Sequence, residues 1–119
     1  MSKVSFQSLS QNPHYKDVSD ISPEEVWLKK DELYLVDVRG EDEYFGELGH
    51  VAGAKLIVLD TLENHLQSLP QNLPVVFICR SGMRSAKASQ LAIEAGLTNT
   101  YNMMGGMICW NAHSLETEA

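Results

Sequence analysis

The sequence predicts an α/β fold built on a parallel sheet. Short apolar runs alternate with segments of helical periodicity along the chain, the pattern of repeated strand–helix units. The densest run, Val75-Val76-Phe77-Ile78, is apolar throughout, as a buried strand requires. It passes through a seven-residue loop, residues 79–85, into a segment with Ala88, Leu91, Ala92 and Ala95 on one helical face.

The elements follow in order. Residues 1–15 are rich in Ser, Gln and Asn and read as a polar N-terminal extension, with a short strand at 4–6. Residues 16–18 give the first strand of the domain. Ser22, Pro23 and Glu25 mark a helix start: a cap, a proline at the first helical position and a glutamate three residues after the cap. Val26 and Trp27 then face inward. Residues 33–36 form the second strand, ending in Asp37-Val38-Arg39, and residues 54–59 form the third. Asp60-Thr61 open a helix with Leu62, His65, Leu66 and Leu69 on one face. Pro70 and Pro74 bracket a linker into the fourth strand, 75–78. Gly96 stands at the C-cap of the following helix. Residues 100–103 are the fifth strand, Gly105-Gly106 allow a close turn, and 107–111 begin a last helix. The domain is thus placed at 16–111, with 112–119 as a C-terminal tail. No internal repeat is present.

The chain has 119 residues, 44% of them hydrophobic and 21% charged, which suits one domain with one core. Its formal net charge of −7 argues against a general nucleic-acid binder, because phosphate contacts need a basic surface. No apolar run approaches a membrane span, and two cysteines without paired spacing do not make a disulfide scaffold. No N-terminal stretch joins basic residues to an apolar run, so the expected compartment is a reducing cytoplasm. Walker, Rossmann and zinc-ligand spacings are absent, so neither a cofactor nor a metal is expected.

The chemistry concentrates in Cys79-Arg80-Ser81-Gly82-Met83-Arg84-Ser85. A helix N-terminus and flanking cations favour a thiolate over a thiol. Gly82 lets the backbone curl so that N–H groups converge on an anion. Arg80 and Arg84 add permanent charges and planar donor forks, and Ser81 and Ser85 add hydroxyl donors. No Asp or Glu falls between Glu63 and Glu94, so an anionic substrate meets a locally basic stretch on an acidic protein. Acids gather elsewhere, at Glu41, Asp42, Glu43 and Glu47.

Asp37 and Arg39 are supporting candidates. Asp37 is placed to accept hydrogen bonds from the loop, and Arg39 to pair with Glu43 four residues on, or both serve as a structural pair. His50 invites a Cys–His dyad, but it sits in an apolar stretch leading into a strand and reads as structural. His14 reads as a surface residue, and the methionines at 103, 104 and 107 as packing. Cys109, between Ile108 and Trp110, reads as a small buried hydrophobe.

The loop resembles the active-site loop of single-domain rhodanese-like sulfurtransferases, and three further blocks share the resemblance. Leu35-Val36-Asp37-Val38-Arg39 with Glu43-Tyr44, Gly49-His50-Val51-Ala52-Gly53-Ala54, and Gly105-Gly106-Met107 with Trp110 are similar to blocks of that family, in its order, over about residues 16–111. The resemblance implies a central parallel five-stranded sheet with helices on both faces. It implies transfer of sulfane sulfur from thiosulfate through a persulfide on Cys79. The partners it implies are a small-molecule sulfur donor and an acceptor such as cyanide, a thiol or a protein. It does not use His50 as a base.

Two other functions compete. Cysteine phosphatases and arsenate reductases also cradle an anion between Cys and Arg, but those resembling phosphatases place five residues between them. Cys79 and Arg84 enclose four, a smaller ring that fits a single sulfur better than a tetrahedral oxyanion. The other is a non-catalytic module or sulfur carrier using the same fold.

Overall fold

A computed structural model describes residues 4–119. Its six strands are β1 (Ser10–Gln11), β2 (Ser19–Ile21), β3 (Tyr34–Asp37), β4 (Lys55–Leu56), β5 (Val75–Ile78) and β6 (Thr100–Met103). They lie in the order β1-β2-β6-β5-β3-β4, with β1 antiparallel to β2 and every other pair parallel. The helices are α1 (Pro23–Lys29), α2 (Glu41–Tyr44), α3 (Met83–Glu94) and α4 (Gly106–Ala112).

The all-apolar β5 is central because both of its faces are covered. Val76 and Ile78 join one cluster with Val26 of α1 and Met107 and Trp110 of α4. Val75, Phe77 and Cys79 join the opposite cluster with Ala88 and Ala92 of α3 and Leu62, Leu66 and Leu69. The period of two thus carries one residue past β5 and puts Cys79 on the α3 side. The buried face of α3 runs through Ser85, Ala88, Ser89 and Ala92, while Leu91 is half-buried and Ala95 exposed.

Several elements differ from the sequence reading. The sheet has six strands, five of them mutually parallel, because the polar N-terminal segment contributes β1. The first parallel strand is at Ser19–Ile21 and not at 16–18. Asn12 Oδ1 accepts from the N–H groups of His14 and Tyr15, and this turn reverses the chain before β2. Residues 4–6 form no strand, although Phe6 packs on Tyr101 with ring centroids 4.8 Å apart. The third strand shortens to Lys55–Leu56. The helix expected after Asp60 is instead two 3-10 turns, Leu59–Asn64 and Leu66–Ser68, which still bury Leu62 and Leu66. Thr61 and Ser68 hydroxyls bond the carbonyls three residues back, where they compete with a regular helix. His65 is exposed.

Glu25 in α1 ties the N-terminal segment to the domain. Its carboxylate accepts from the N–H of Gln7 at 2.7 Å and of Ser8 at 2.9 Å, from the Ser8 hydroxyl, and from Lys29. Burial alone would raise its pKa, but Lys29, Ser8 and the Gln7 and Ser8 amides outweigh it and hold the group at about 2. A carboxyl held low in the folded state stabilises fully above its ordinary value of 4.5 and loses that contribution as pH falls toward about 2. Glu25→Gln should therefore lower the melting temperature near neutrality and flatten its decline between pH 4.5 and 2. Thermal melts of parent and variant across that window check it; parallel declines would refute the role.

Candidate active site at the end of the central strand

The chain leaves β3 toward edge strand β4 and leaves β5 toward β6, on opposite sides. A crevice therefore opens between the C-terminal ends of β3 and β5, where ligands of such sheets bind. Asp37 pairs with Ile78 across it, so Arg39 and Cys79 start the two loops that flank it.

The loop after β5 closes on its own sulfur. Cys79 Sγ accepts from the Gly82 N–H at 3.0 Å, and Ser85 Oγ lies 3.2 Å away. Gly82, at φ 99°, is the N-cap of α3, a conformation that favours glycine. The expected ring of converging amides is thus reduced to this one backbone donor. Cys79 has no exposed surface, whereas Arg80, Ser81 and Met83 are exposed at the mouth.

The arginines divide their work in a way the sequence did not suggest. Arg84 donates both ends of its fork to Glu43, at 2.8 Å each, so it faces a carboxylate already in place. The Arg84 hydrogen bonds hold the Glu43 carboxyl down at about 2 and raise Arg84 in turn. Arg80 has no ion pair or side-chain hydrogen bond among the described residues. Arg39 pairs with Asp37 and not with Glu43: its Nε and Nη2 reach the carboxylate at 2.9 and 2.8 Å, and Nη2 also donates to Gly49 O. Asp37 receives no donor from the loop, because Arg39 occupies it from both side chain and backbone. Both residues are fully buried, so they brace the β3 loop as a desolvated, fork-shaped pair. Beside this loop, Arg39, Asp42, Glu43, Glu47, Leu48 and Arg80 line a cavity of about 210 Å³. The acidic cluster that looked remote in sequence folds against the site.

The turn at Gly105-Gly106 supports the loop from below. The N–H groups of Met107 and Ile108 donate to the carbonyls of Cys79 and Arg80 at 2.8 and 3.0 Å. His50 is elsewhere: it stacks on Tyr44 at 3.7 Å, with Nδ1 at 2.8 Å from Tyr44 O, and makes no bond to Cys79. Cys109 is half-buried, with Sγ 3.6 Å from His113 Nδ1, and burial followed by the Glu24 charge pushes its thiol pKa up. Two contributors escaped the sequence reading. Sequence spacing assigns Glu43 to Arg39 and not to Arg84, and nothing near Asn102 in sequence marks its bond to the Ser85 hydroxyl. The asparagine itself, inside an otherwise buried strand, is the one signal. No cluster of three or more His, Cys, Asp or Glu side chains that could hold a metal occurs among the described residues, and no helix there is long and apolar enough to cross a membrane.

Comparison with known proteins gives this geometry a context. The family model described as a rhodanese-like domain matches residues 22–113. The chain is 30% identical over 105 residues to the thiosulfate sulfurtransferase GlpE of Coxiella burnetii, covering 88% of this chain and 95% of that one. It is 36% identical over 99 residues to the putative sulfurtransferase YtwF of Bacillus subtilis, covering 83% and 93%. Among solved structures, a rhodanese-like domain protein from Staphylococcus aureus matches with a TM-score of 0.69 and 33% identity, over 84% of this chain and 98% of the other.

The close turn makes a direct prediction. Gly106 has φ +57°, and a Cβ there would collide with the carbonyls of Cys79 and Arg80. Gly106→Ala should destabilise by at least about 1 kcal/mol and displace the loop. Gly53→Ala has open space around it and incurs only the strain of its own φ of +87°. Denaturant unfolding of both variants checks the order; Gly106→Ala as stable as the parent would refute the close approach.

Proposed function

The chain belongs to the rhodanese-like domain family, and from that premise we propose that it is a thiosulfate sulfurtransferase working through a persulfide on Cys79. The observation that carries the reading is a lone thiol at the end of the central strand, bonded by the Gly82 N–H at the start of α3 and flanked by Arg80. The Cys79 sulfur, as thiolate, attacks the outer sulfur of thiosulfate. The sulfur–sulfur bond to the sulfite group breaks, its electron pair leaves with sulfite, and a persulfide remains. A thiophilic acceptor such as cyanide or a thiol then attacks the terminal sulfur, and the electron pair returns to Cys79. No external oxidant or reductant is needed. A reducing cytoplasm suits the cycle because it keeps the thiol free.

In this reading Arg80, which has no carboxylate partner among the described residues, draws in the anion, and the Gly82 amide steadies charge on sulfur. Arg84 and Glu43 act as a unit that shapes the mouth. Met83 and Arg80 line the mouth above the buried sulfur. Asp37 and Arg39 hold the neighbouring loop. The four-residue interval between Cys79 and Arg84 supports sulfur transfer over phosphate hydrolysis.

Incubation with thiosulfate, desalting and intact mass spectrometry should show a gain of one sulfur atom, removable by cyanide. Cys79→Ser should not load, and Cys109→Ala should load like the parent. Loading that survives Cys79→Ser would refute the assignment, and aryl phosphate hydrolysis without loading would favour the phosphatase.

Arg80→Ala should raise the KM for thiosulfate, whereas Glu43→Gln, by freeing the Arg84 fork, should lower it by about two- to fivefold. The Glu43–Arg84 pair is partly exposed, so its loss should alter stability by no more than about 1 kcal/mol. Steady-state kinetics with thermal melts decide. A KM that rises in Glu43→Gln would mean that the pair positions Arg84 for the anion and does not withhold it.

A further inference from the structure

Ser85 has two hydrogen-bond partners and one proton. Its Oγ is 3.2 Å from Cys79 Sγ and also bonds Asn102 Oδ1. A hydroxyl carries a single O–H, so it cannot donate to both. The far side of Asn102 decides between them. Asn102 Nδ2 donates to Asp20 Oδ1 at 2.9 Å, and Asn12 Nδ2 donates to the same oxygen at 3.0 Å. The Asp20 oxygen accepts, so Asn102 must turn its NH₂ toward Asp20 and its carbonyl toward Ser85. A carbonyl accepts only, and it takes the Ser85 proton. Ser85 is 0%, Asn102 1%, Asp20 4% and Asn12 5% exposed, so little solvent reaches the chain of bonds to satisfy it otherwise.

We propose that Asp20, acting through Asn102, withholds the Ser85 proton from Cys79 and so favours a neutral thiol at rest. In that state the Cys79 S–H donates to Ser85 Oγ. When the sulfur becomes anionic, the Ser85 hydroxyl rotates and donates to it, and the buried Asn102 carbonyl loses its donor. Ser85 thus accepts at rest and donates once charge appears. Asp20 and Asn102 are positioning residues, because they act only through Ser85. The inference rests on the reading of Cys79 as the sulfur carrier.

Other charged or titratable groups lie on the elements packed against this loop. Arg84 stands in the first turn of α3 and is paired with Glu43 of α2. Arg80 follows Cys79 in the loop, and the Asp37–Arg39 pair closes the end of β3. On α4 lie Cys109 and His113, the latter paired with Glu24 of α1. None of these is altered in the variants below.

The test is the pH profile of Cys79 alkylation by iodoacetamide, followed on the Cys79 peptide by mass spectrometry. The proteins are the parent, Asp20→Asn, Ser85→Ala and the double variant. Asp20→Asn keeps the shape but no longer compels the Asn102 amide to face one way. It should move the midpoint to lower pH, speeding alkylation on the rising limb about three- to tenfold, with the plateau unchanged. In the Ser85→Ala background the same substitution should have no effect. Asn102→Leu, which removes the accepting carbonyl at similar volume, should shift the midpoint in the same direction and serves if Asp20→Asn does not fold. An equal shift with and without Ser85 would mean that Asp20 acts by charge alone, and the proposal fails. It also fails if no midpoint moves, or if only the plateau moves, which reports access to the buried sulfur. Alkylation needs no sulfur donor, so failure of thiosulfate loading would sink the proposed function without deciding this point.

Discussion

Two hydrogen bonds hold the functional end of the molecule together, those from the Met107 and Ile108 amides to the carbonyls of Cys79 and Arg80. The end of a central parallel strand leaves carbonyls without a ladder partner, and the first turn of a helix leaves amides without one. Each set satisfies the other only because Gly106 brings two backbones into contact. The remaining architecture follows from that meeting. The β6 strand must run beside β5 to deliver the turn. The α4 helix must then lie against α1, where Trp110 meets Trp27 at 6.2 Å, edge to face. The chain end returns to pair Glu118 with His50, so the C-terminal residues pack on the segment that precedes β4.

Much of this was legible in the sequence where the physics is local. The apolar run 75–78 marked β5, and Ser22, Pro23 and Glu25 marked the start of α1. The Cys79 loop was readable because its strand, glycine and helix are contiguous. What was not readable depended on contacts between distant segments. Glu43 and Arg84 are 41 residues apart, and nothing near either residue announces the other. Glu43 stands four residues after Arg39, a spacing that suggests a helical pair, yet α2 begins only at Glu41 and Arg39 lies outside it. Arg39 turns instead to Asp37, two residues back, where a helical spacing rule does not apply. Asp20 and Asn102 are ordinary polar residues in sequence and become a buried pair only when β2 and β6 align in register. The strand at residues 16–18 was misplaced because Asn12 builds its turn from backbone amides that composition does not reveal.

Charge is arranged by pairing more than by total. The chain carries a formal −7, and its acids at 42, 43 and 47 stand beside the loop thought basic from sequence. One arginine is neutralised by Glu43 and another by Asp37, which leaves Arg80 as the exposed arginine without an ion pair among the described residues. A single exposed cation in an acidic surround attracts an anion at short range and little beyond a Debye length of about 8 Å.

The two ends of the sheet bear on the behaviour of the protein at high concentration. Its outer strands, β1 and β4, are two residues long each, and one of them displays Lys55 to solvent. Open strand edges are templates on which a second chain can add itself, and short, charged edges offer too few free amides and carbonyls for that addition. The strongly apolar Val75–Ile78 segment, which has the composition of a self-associating stretch, lies in the interior with a neighbour on each side. The fold thus places this segment in the interior, with β3 and β6 covering both of its edges.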